Sequence, residues 1–135
     1  MNKVIFLFLS IILISSCSKK DTPIGLWDDN IKLSTKNVEF GVNADSVVIT
    51  TEGDWWWIAE ITLNDSSYSY YNNENINLES DSYTIIEDHF VVERRDKNTL
   101  FIKLDENMTG EERVMIITLE AGDYFDHVKI NQLAN

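Results

Sequence analysis

Hydrophobic and polar residues alternate along most of the chain in short runs that are typical of β-strands. Turn-forming residues separate these runs, and no segment has the periodicity of an amphipathic helix of useful length. The pattern favours a β-sandwich or barrel over alternating strands and helices. The runs cover residues 31–33, 38–42, 46–51, 55–63, 83–86, 89–93, 99–104, 113–119 and 124–132.

The run within residues 53–63 contains three of the four tryptophans of the chain in succession. Because neighbouring side chains of a strand point to opposite faces, one face of this run is apolar throughout. The members of that face are Trp55, Trp57, Ala59, Ile61 and Leu63. We therefore expect a central strand with Trp55 and Trp57 in the core. Trp56, on the mixed face, is compatible with either exposure or burial.

Residues 64–82 interrupt the alternation and are rich in Asn, Ser and acidic side chains. Tyr68, Tyr70 and Tyr71 lie within this segment. Its length predicts an insertion between two strands, and long connections in compact domains are usually functional or disordered. The alternation of Tyr68, Ser69 and Tyr70 is also compatible with an extra hairpin. Two interpretations stay open: a surface excursion pinned by one or two tyrosines, or a loop that contacts a ligand.

The first 16 residues have the pattern of a secretory signal peptide, with Lys3 followed by an apolar stretch and two small residues. Cys17 follows directly and is the only cysteine of the chain. Residues 14–17 resemble a bacterial lipobox, so we expect Cys17 to be lipidated and to anchor the protein in the cell envelope, at the outer membrane. Residues 17–30 then form the lipidated N-terminus and a tether, and residues 31–135 form one β-domain.

The chain is strongly acidic, with 23 acidic and 11 basic residues and a formal net charge of −12 at pH 7. Such a charge argues against nucleic acid as a partner and against binding flat to an anionic membrane. It also disfavours strongly anionic glycans, unless a local patch overrides the overall field. The membrane is therefore expected as a partner through the lipid anchor only.

Residue types that carry catalysis are sparse. Two histidines, His89 and His127, are far apart in sequence, and zinc normally needs three or four ligands. The acids of residues 65–82 lack the spacing of an EF-hand, and neither a nucleophile elbow nor a phosphate-binding glycine loop is present. We therefore expect no catalytic residue, no metal site and no cofactor, and a protein that is not an enzyme.

A set of loop and strand residues marks the last third of the chain. Asn107 and Gly110 lie in a loop, Arg113 begins an apolar strand, Gly122 lies in a turn, and Gln132 ends the terminal strand. This order resembles the BACON domain family (Bacteroidetes-associated carbohydrate-binding). From the residues alone we expect structural roles for them: the glycines in turns, Gln132 on backbone groups at a sheet end, and Arg113 paired with an acid across the sheet.

The first half is also similar to the BACON pattern, in residues 31–33 and 38–40 and in residues 47–51 followed by Gly53 and a tryptophan. The resemblance covers roughly residues 31–63 and 83–133, and residues 64–82 depart from it as an insertion. It implies an all-β fold, an immunoglobulin-like antiparallel β-sandwich of about 7–9 strands, and a source among the Bacteroidetes. It also implies carbohydrate or mucin binding, or a spacer role beside glycan-active enzymes, without any binding residues to carry over.

Candidate ligand contacts come from the aromatic residues, because flat rings can stack on the apolar C–H faces of sugars. The candidates are Trp56, Tyr68, Tyr70 and Tyr71, although packing in the core or at its rim is enough to explain each of them. The favoured hypothesis is a non-catalytic envelope lipoprotein that binds glycan or mucin. The alternative is a structural spacer or a module that binds an envelope protein, and a third hypothesis is a protease inhibitor that uses residues 64–82.

Overall fold

The structure is a computed structural model that describes residues 28–135. The predicted signal peptide, Cys17 and most of the predicted tether lie outside these residues. The described part consists of nine strands joined by turns and loops. The strands are β1 (Asn37–Phe40), β2 (Asp45–Thr50), β3 (Trp57–Leu63), β4 (Ser66–Tyr68), β5 (Tyr83–Glu87), β6 (Phe90–Arg95), β7 (Thr99–Leu104), β8 (Arg113–Ala121) and β9 (Tyr124–Gln132).

The nine strands form two sheets, one with the order β1-β9-β8-β3-β4 and one with the order β2-β7-β6-β5. All pairings are antiparallel except that of β1 with β9, which is parallel. The orders β9-β8-β3 and β2-β7-β6 are the G-F-C and B-E-D orders of immunoglobulin domains. The prediction of an all-β, immunoglobulin-like sandwich is therefore confirmed. Within residues 28–135 no helix is long and apolar enough to span a membrane.

The core lies between the two sheets and follows the predicted alternation in most strands. In β8 every second side chain, from Arg113 to Ala121, is buried, and the intervening ones are partly covered. β8 lies between β9 and β3, as its nearly continuous apolar sequence predicts. The largest fully buried aromatic side chains are Trp56 and Phe90, one from each half of the sandwich.

The predicted faces of the tryptophan run are wrong at its start. Trp55 is 68% exposed and Trp57 is only partly buried, whereas Trp56 is 1% exposed. The reason is a β-bulge, because the pairing of β3 with β8 shifts register between Ile58 and Glu60. Because Ala59 is an extra residue in β3, the side chains before it point to the opposite faces from those predicted, and both Ile58 and Ala59 are buried. After the bulge the predicted faces hold.

Residues 64–82 contain one extra strand and one loop. Asn64, with a φ of 50°, and Asp65 make the turn that folds β4 back onto β3. Residues 69–82 then cross to β5 on the other sheet. The predicted hairpin is therefore present, but it ends at Tyr68 and does not include Tyr70. We call residues 69–82 the crossing loop.

The residues that carry the resemblance hold the end of the sandwich opposite the tryptophans. The Gln132 side chain is fully buried, and its amide donates to the carbonyl of Asp105 at 2.9 Å and, at longer range, to those of Val42 and Asn43. Gln132 thus satisfies backbone groups at the sheet end, as predicted. The prediction for Arg113 is wrong, because its guanidinium donates to the backbone carbonyls of Asp105 and Glu106 and to the Gln132 side chain, and it forms no ion pair with an acid of residues 28–135.

Asn107 completes this end of the fold. Its buried amide donates to the carbonyls of Glu111 and Leu133 at 2.8 and 3.0 Å. Its side-chain oxygen accepts from Thr109, which closes the loop before β8. Gly110, at a φ of 76°, takes the left-handed conformation that this loop needs. These residues therefore act in the fold.

Candidate functional site

Exposed aromatic side chains gather at the end of the first sheet where β3 begins and β8 ends. Trp55 and Trp57 contact each other edge to face, with ring centroids 5.7 Å apart and planes at 84°. Trp57 is paired with Glu120 across the strands. Trp55 lies over the β8–β9 turn, where a Cβ on Gly122 would be 3.5 Å from the indole. The bulge in β3 thus places two tryptophans on the outside of the sandwich.

The crossing loop contributes a third ring to this group. Tyr71 is half exposed, and its hydroxyl accepts a hydrogen bond from the Trp57 indole nitrogen at 3.3 Å. The same hydroxyl donates to the Glu120 carboxylate. Burial and the hydrogen bond to Glu120 raise the pKa of Tyr71, so this hydroxyl stays protonated at neutral pH. The chain of three polar groups fixes the Trp57 ring and ties the loop to β8.

Two recesses share Trp57 in their lining. The first has a volume of about 320 Å³ and lies between Trp57, Tyr71 and the loop residues 76–79. The second has a volume of about 360 Å³ and lies between the three tryptophans, Glu79 and Arg94. Trp57 and Glu79 line both. Each volume is at the lower end of the range for small-ligand sites. We call the two recesses together the tryptophan cleft.

Arg94 closes the base of the cleft. Its guanidinium carbon lies 4.7 Å from the centroid of the Trp56 ring, and only 4% of the residue is exposed. It donates to the carbonyl oxygens of Asp54 at 2.6 Å and Ser80 at 2.9 Å. Burial lowers the pKa of this guanidinium. Arg94 therefore joins the start of the tryptophan run to the end of the crossing loop.

Trp56 does not present a ring face to a ligand, which corrects its place among the candidates. Its indole N–H donates to the hydroxyl of Thr51 at 3.0 Å and to the carbonyl of Gly53 at 3.1 Å, and Arg94 covers its ring. It contributes only to the floor of the second recess. Of the two positions left open for Trp56, burial is the one observed, and Trp55 and Trp57 face outward instead.

The three candidate tyrosines have different surroundings, and only Tyr71 lines the cleft. Tyr68 packs edge-on against Phe90, with centroids 5.2 Å apart. Tyr70 is buried, and its hydroxyl donates to Glu87 at 2.8 Å; burial and this bond raise the pKa of Tyr70. Tyr68, at the end of β4, and Tyr70, at the start of the crossing loop, thus attach residues 64–82 to the core, which agrees with the interpretation of a segment pinned by tyrosines.

The two histidines are not brought together. His127 lies on the outer face of β9 opposite Thr118, and His89 lies in the turn before β6, at the other end of the sandwich from the tryptophan cleft. Within residues 28–135 no group of three or more His, Cys, Asp or Glu side chains is placed to hold a metal ion.

Several residues of the cleft were missed by sequence reasoning. Ile76 and Leu78 are partly buried in the crossing loop and pack against the core cluster. Their alternation within an otherwise polar segment was the available signal. Nothing in the sequence distinguishes Arg94 from its neighbours in a charged run that was expected to form a turn.

The fold is similar to that of a protein from Bacteroides thetaiotaomicron whose structure was solved by NMR. The TM-score is 0.64 and the sequence identity 21%, over 84% of this chain and 94% of that protein. Identity at this level shows a shared fold alone. No family model and no curated protein matches the chain. The resemblance to the BACON family therefore stays a prediction.

Proposed function

We propose that the protein is a non-catalytic carbohydrate-binding module of the cell envelope, held at the outer membrane by a lipid on Cys17. The observation that carries this proposal is the tryptophan cleft, in which Trp55, Trp57 and Tyr71 are accessible at the end of the first sheet. Flat apolar rings suit the C–H faces of pyranose sugars, and their fixed positions reduce the entropy lost on binding.

Polar groups beside the rings support the same ligand class. Asn77 and Glu79 line the cleft, and Glu120 lies behind Tyr71. Carboxylate and amide oxygens accept hydrogen bonds from sugar hydroxyls, and the Asn77 amide can donate to them. A few polar groups among apolar rings are the usual composition of a small-ligand site. The BACON resemblance, with its implied role in glycan or mucin binding, points the same way.

A second candidate function is a spacer or a module that binds an envelope protein. It is favoured by the outer strands of the second sheet, β2 and β5, which present Val48 and Ile86 at 56% and 72% exposure. An uncovered strand edge with apolar side chains can pair with a strand of another protein. The two candidates use different surfaces and can be separated by substitution.

Binding of the purified protein to immobilised mucins and neutral polysaccharides tests the proposal. Trp55→Ala and Trp57→Ala are compared with Ile86→Ala, which removes an exposed apolar side chain far from the cleft. We expect each tryptophan variant to weaken glycan binding about tenfold or more, as central contacts of binding sites do, and Ile86→Ala to leave it unchanged. Circular dichroism and thermal unfolding confirm that each variant is folded.

Absence of glycan binding by the wild type, or equal binding by the folded tryptophan variants, would overturn the proposal. Capture of an envelope protein that is lost in Ile86→Ala and retained in Trp57→Ala would favour the second candidate instead.

A further inference from the structure

We infer that Glu79 is the residue that selects uncharged and amino sugars over acidic glycans in the tryptophan cleft. The inference rests on the proposed function, because it assigns a ligand class to that site. It concerns one side chain whose position differs from that of every other acid of the crossing loop.

Glu79 lines both recesses, a property that it shares only with Trp57. A ligand in either recess therefore lies beside the same side chain. The Glu79 backbone is fixed on both sides. Its N–H donates to the Asn77 side chain at 3.1 Å, and the carbonyl of the next residue, Ser80, accepts from Arg94 at 2.9 Å. The backbone that carries the Glu79 side chain is thus held in place at the rim of the cleft.

No cation neutralises this carboxylate. Among residues 28–135, none of the ion pairs within 4 Å involves Glu79. Arg94 is the only basic residue of the described chain that lines either recess, and its Nε, Nη1 and Nη2 atoms each donate to a backbone carbonyl, of Asp54, Ser80 or Lys97. An acidic sugar would therefore meet the repelling charge of Glu79 and at most one free N–H of the guanidinium.

Negative charge beyond the two recesses adds to that of Glu79. Glu120 lies behind Tyr71 at the edge of the cleft, and the whole chain carries a net charge of −12. A neutral sugar avoids this repulsion and can donate a hydroxyl hydrogen bond to Glu79. A protonated amino sugar gains an ion pair at the same position. The cleft thus discriminates by charge while the rings supply the stacking surface.

Two pairs of probes that differ in charge test this inference, and the Glu79 and Glu74 variants separate the effect of charge from the other differences within each pair. The first pair is gastric mucin before and after removal of sialic acid. The second pair is chitotetraose and its fully deacetylated, cationic counterpart. The wild type is compared with Glu79→Gln, which keeps size and hydrogen-bonding atoms. The matched control is Glu74→Gln, which removes the same charge from the same loop at a surface outside both recesses.

We expect the wild type to prefer desialylated mucin and the deacetylated tetramer. Glu79→Gln should reduce each preference roughly two- to fivefold, the range of exposed charge interactions, and Glu74→Gln should leave both unchanged. In 1 M salt the wild-type preferences should largely vanish, because the screening length falls to about 3 Å.

The outcomes separate the two proposals. If the wild type and Glu79→Gln show equal preferences while Trp57→Ala still abolishes binding, the role of Glu79 is overturned and the glycan site is kept. Equal effects of Glu79→Gln and Glu74→Gln assign the selection to overall charge and also overturn the role of Glu79. Absence of binding to all four probes overturns both proposals.

Discussion

Replacing Arg94 by alanine tests whether one buried cation holds the tryptophan cleft together. Arg94 donates to the carbonyls of Asp54 and Ser80 at 2.6 and 2.9 Å, and to that of Lys97 at 3.4 Å. It also stacks on the Trp56 ring at 4.7 Å. The substitution removes these contacts together and leaves three carbonyl oxygens to be satisfied by water.

The expected loss of folding free energy follows from these contacts. Each hydrogen bond to a charged donor is worth about 1.5–3 kcal/mol, and a partly desolvated cation–π contact adds about 1 kcal/mol. Water reaching the freed carbonyls and the relief of burying a charge offset part of this sum. We therefore expect Arg94→Ala to lower the free energy of unfolding by about 3 kcal/mol, which is large for one residue.

Urea unfolding followed by tryptophan fluorescence measures this loss. With a slope of about 1.3 kcal/mol per molar urea, the midpoint should fall by about 2 M. The matched control is Arg95→Ala. Its side chain is 41% exposed, pairs with Glu93 and stacks on Phe101, so its removal should cost less than about 1 kcal/mol. Arg94→Lys keeps the positive charge but not the planar set of N–H donors, and should lose most of the stabilisation that Arg94 provides.

The reasoning would be refuted if Arg94→Ala were no more destabilising than Arg95→Ala. A stable Arg94→Lys would show instead that charge, and not the geometry of the donors, fixes the base of the cleft.

Three further predictions concern the rest of the fold. Gln132→Ala should lose about 2–3 kcal/mol in urea unfolding, because it removes a fully buried side chain whose amide donates to the carbonyls of Val42, Asn43 and Asp105. The carbonyls of Val42 and Asp105 keep a second donor, from Asn107 and Arg113. Gly53→Ala should lose about 2 kcal/mol or more, because the added methyl collides with the carbonyl oxygen of Asn30. The control Gly41→Ala meets no atom within 4 Å and should be nearly neutral. Equal urea midpoints for the two variants would contradict this prediction. Burial raises the pKa of Tyr83 from 10.0 to about 12, so the folded chain holds the phenol proton more tightly than the unfolded chain does. The stability of the folded chain should therefore fall as the pH rises from 10 to 12, because the unfolded chain loses this proton first. Between pH 9 and pH 11.5 the free energy of unfolding should fall less in Tyr83→Phe than in the wild type, by up to about 2 kcal/mol. An equal fall in the two proteins would contradict the raised pKa of Tyr83.

Most strands of the fold could be predicted because their alternation is unbroken. The runs that became β7, β8 and β9 alternate without a break, and every second residue is buried in each, although polar residues stand on the buried face at Arg113 in β8 and at Asp126 and Gln132 in β9. The first run, residues 31–33, was too short to form a strand and makes a single bridge, from Leu33 to Thr51. The parallel pairing of β1 could not be predicted, because alternation specifies the faces of a strand and not the direction of its neighbour.

The site could be predicted only as far as its residue types. The tryptophan run was identified as central, but the faces of Trp55, Trp56 and Trp57 were inverted by one inserted residue, Ala59. A bulge leaves little trace in a sequence that is apolar on both faces, since odd-numbered and even-numbered positions each form an apolar face. Charge and hydrogen-bond partners that come from distant segments, as at Arg94, are set by the tertiary fold and not by local pattern.

The parallel pairing of β1 with β9 also determines how the domain carries mechanical load. The two strands run in the same direction over four residue pairs, from Asn37 beside Lys129 to Phe40 beside Gln132. A force that separates the two chain ends pulls β1 from its first residue and β9 from its last, so the strands are sheared past each other. The hydrogen bonds between them lie across the force and must break together, whereas the antiparallel pair β8–β9, pulled from its open end, would open one bond at a time. Tension between an N-terminal anchor and a C-terminal attachment would therefore meet the strongest resistance that this short pair of strands can provide.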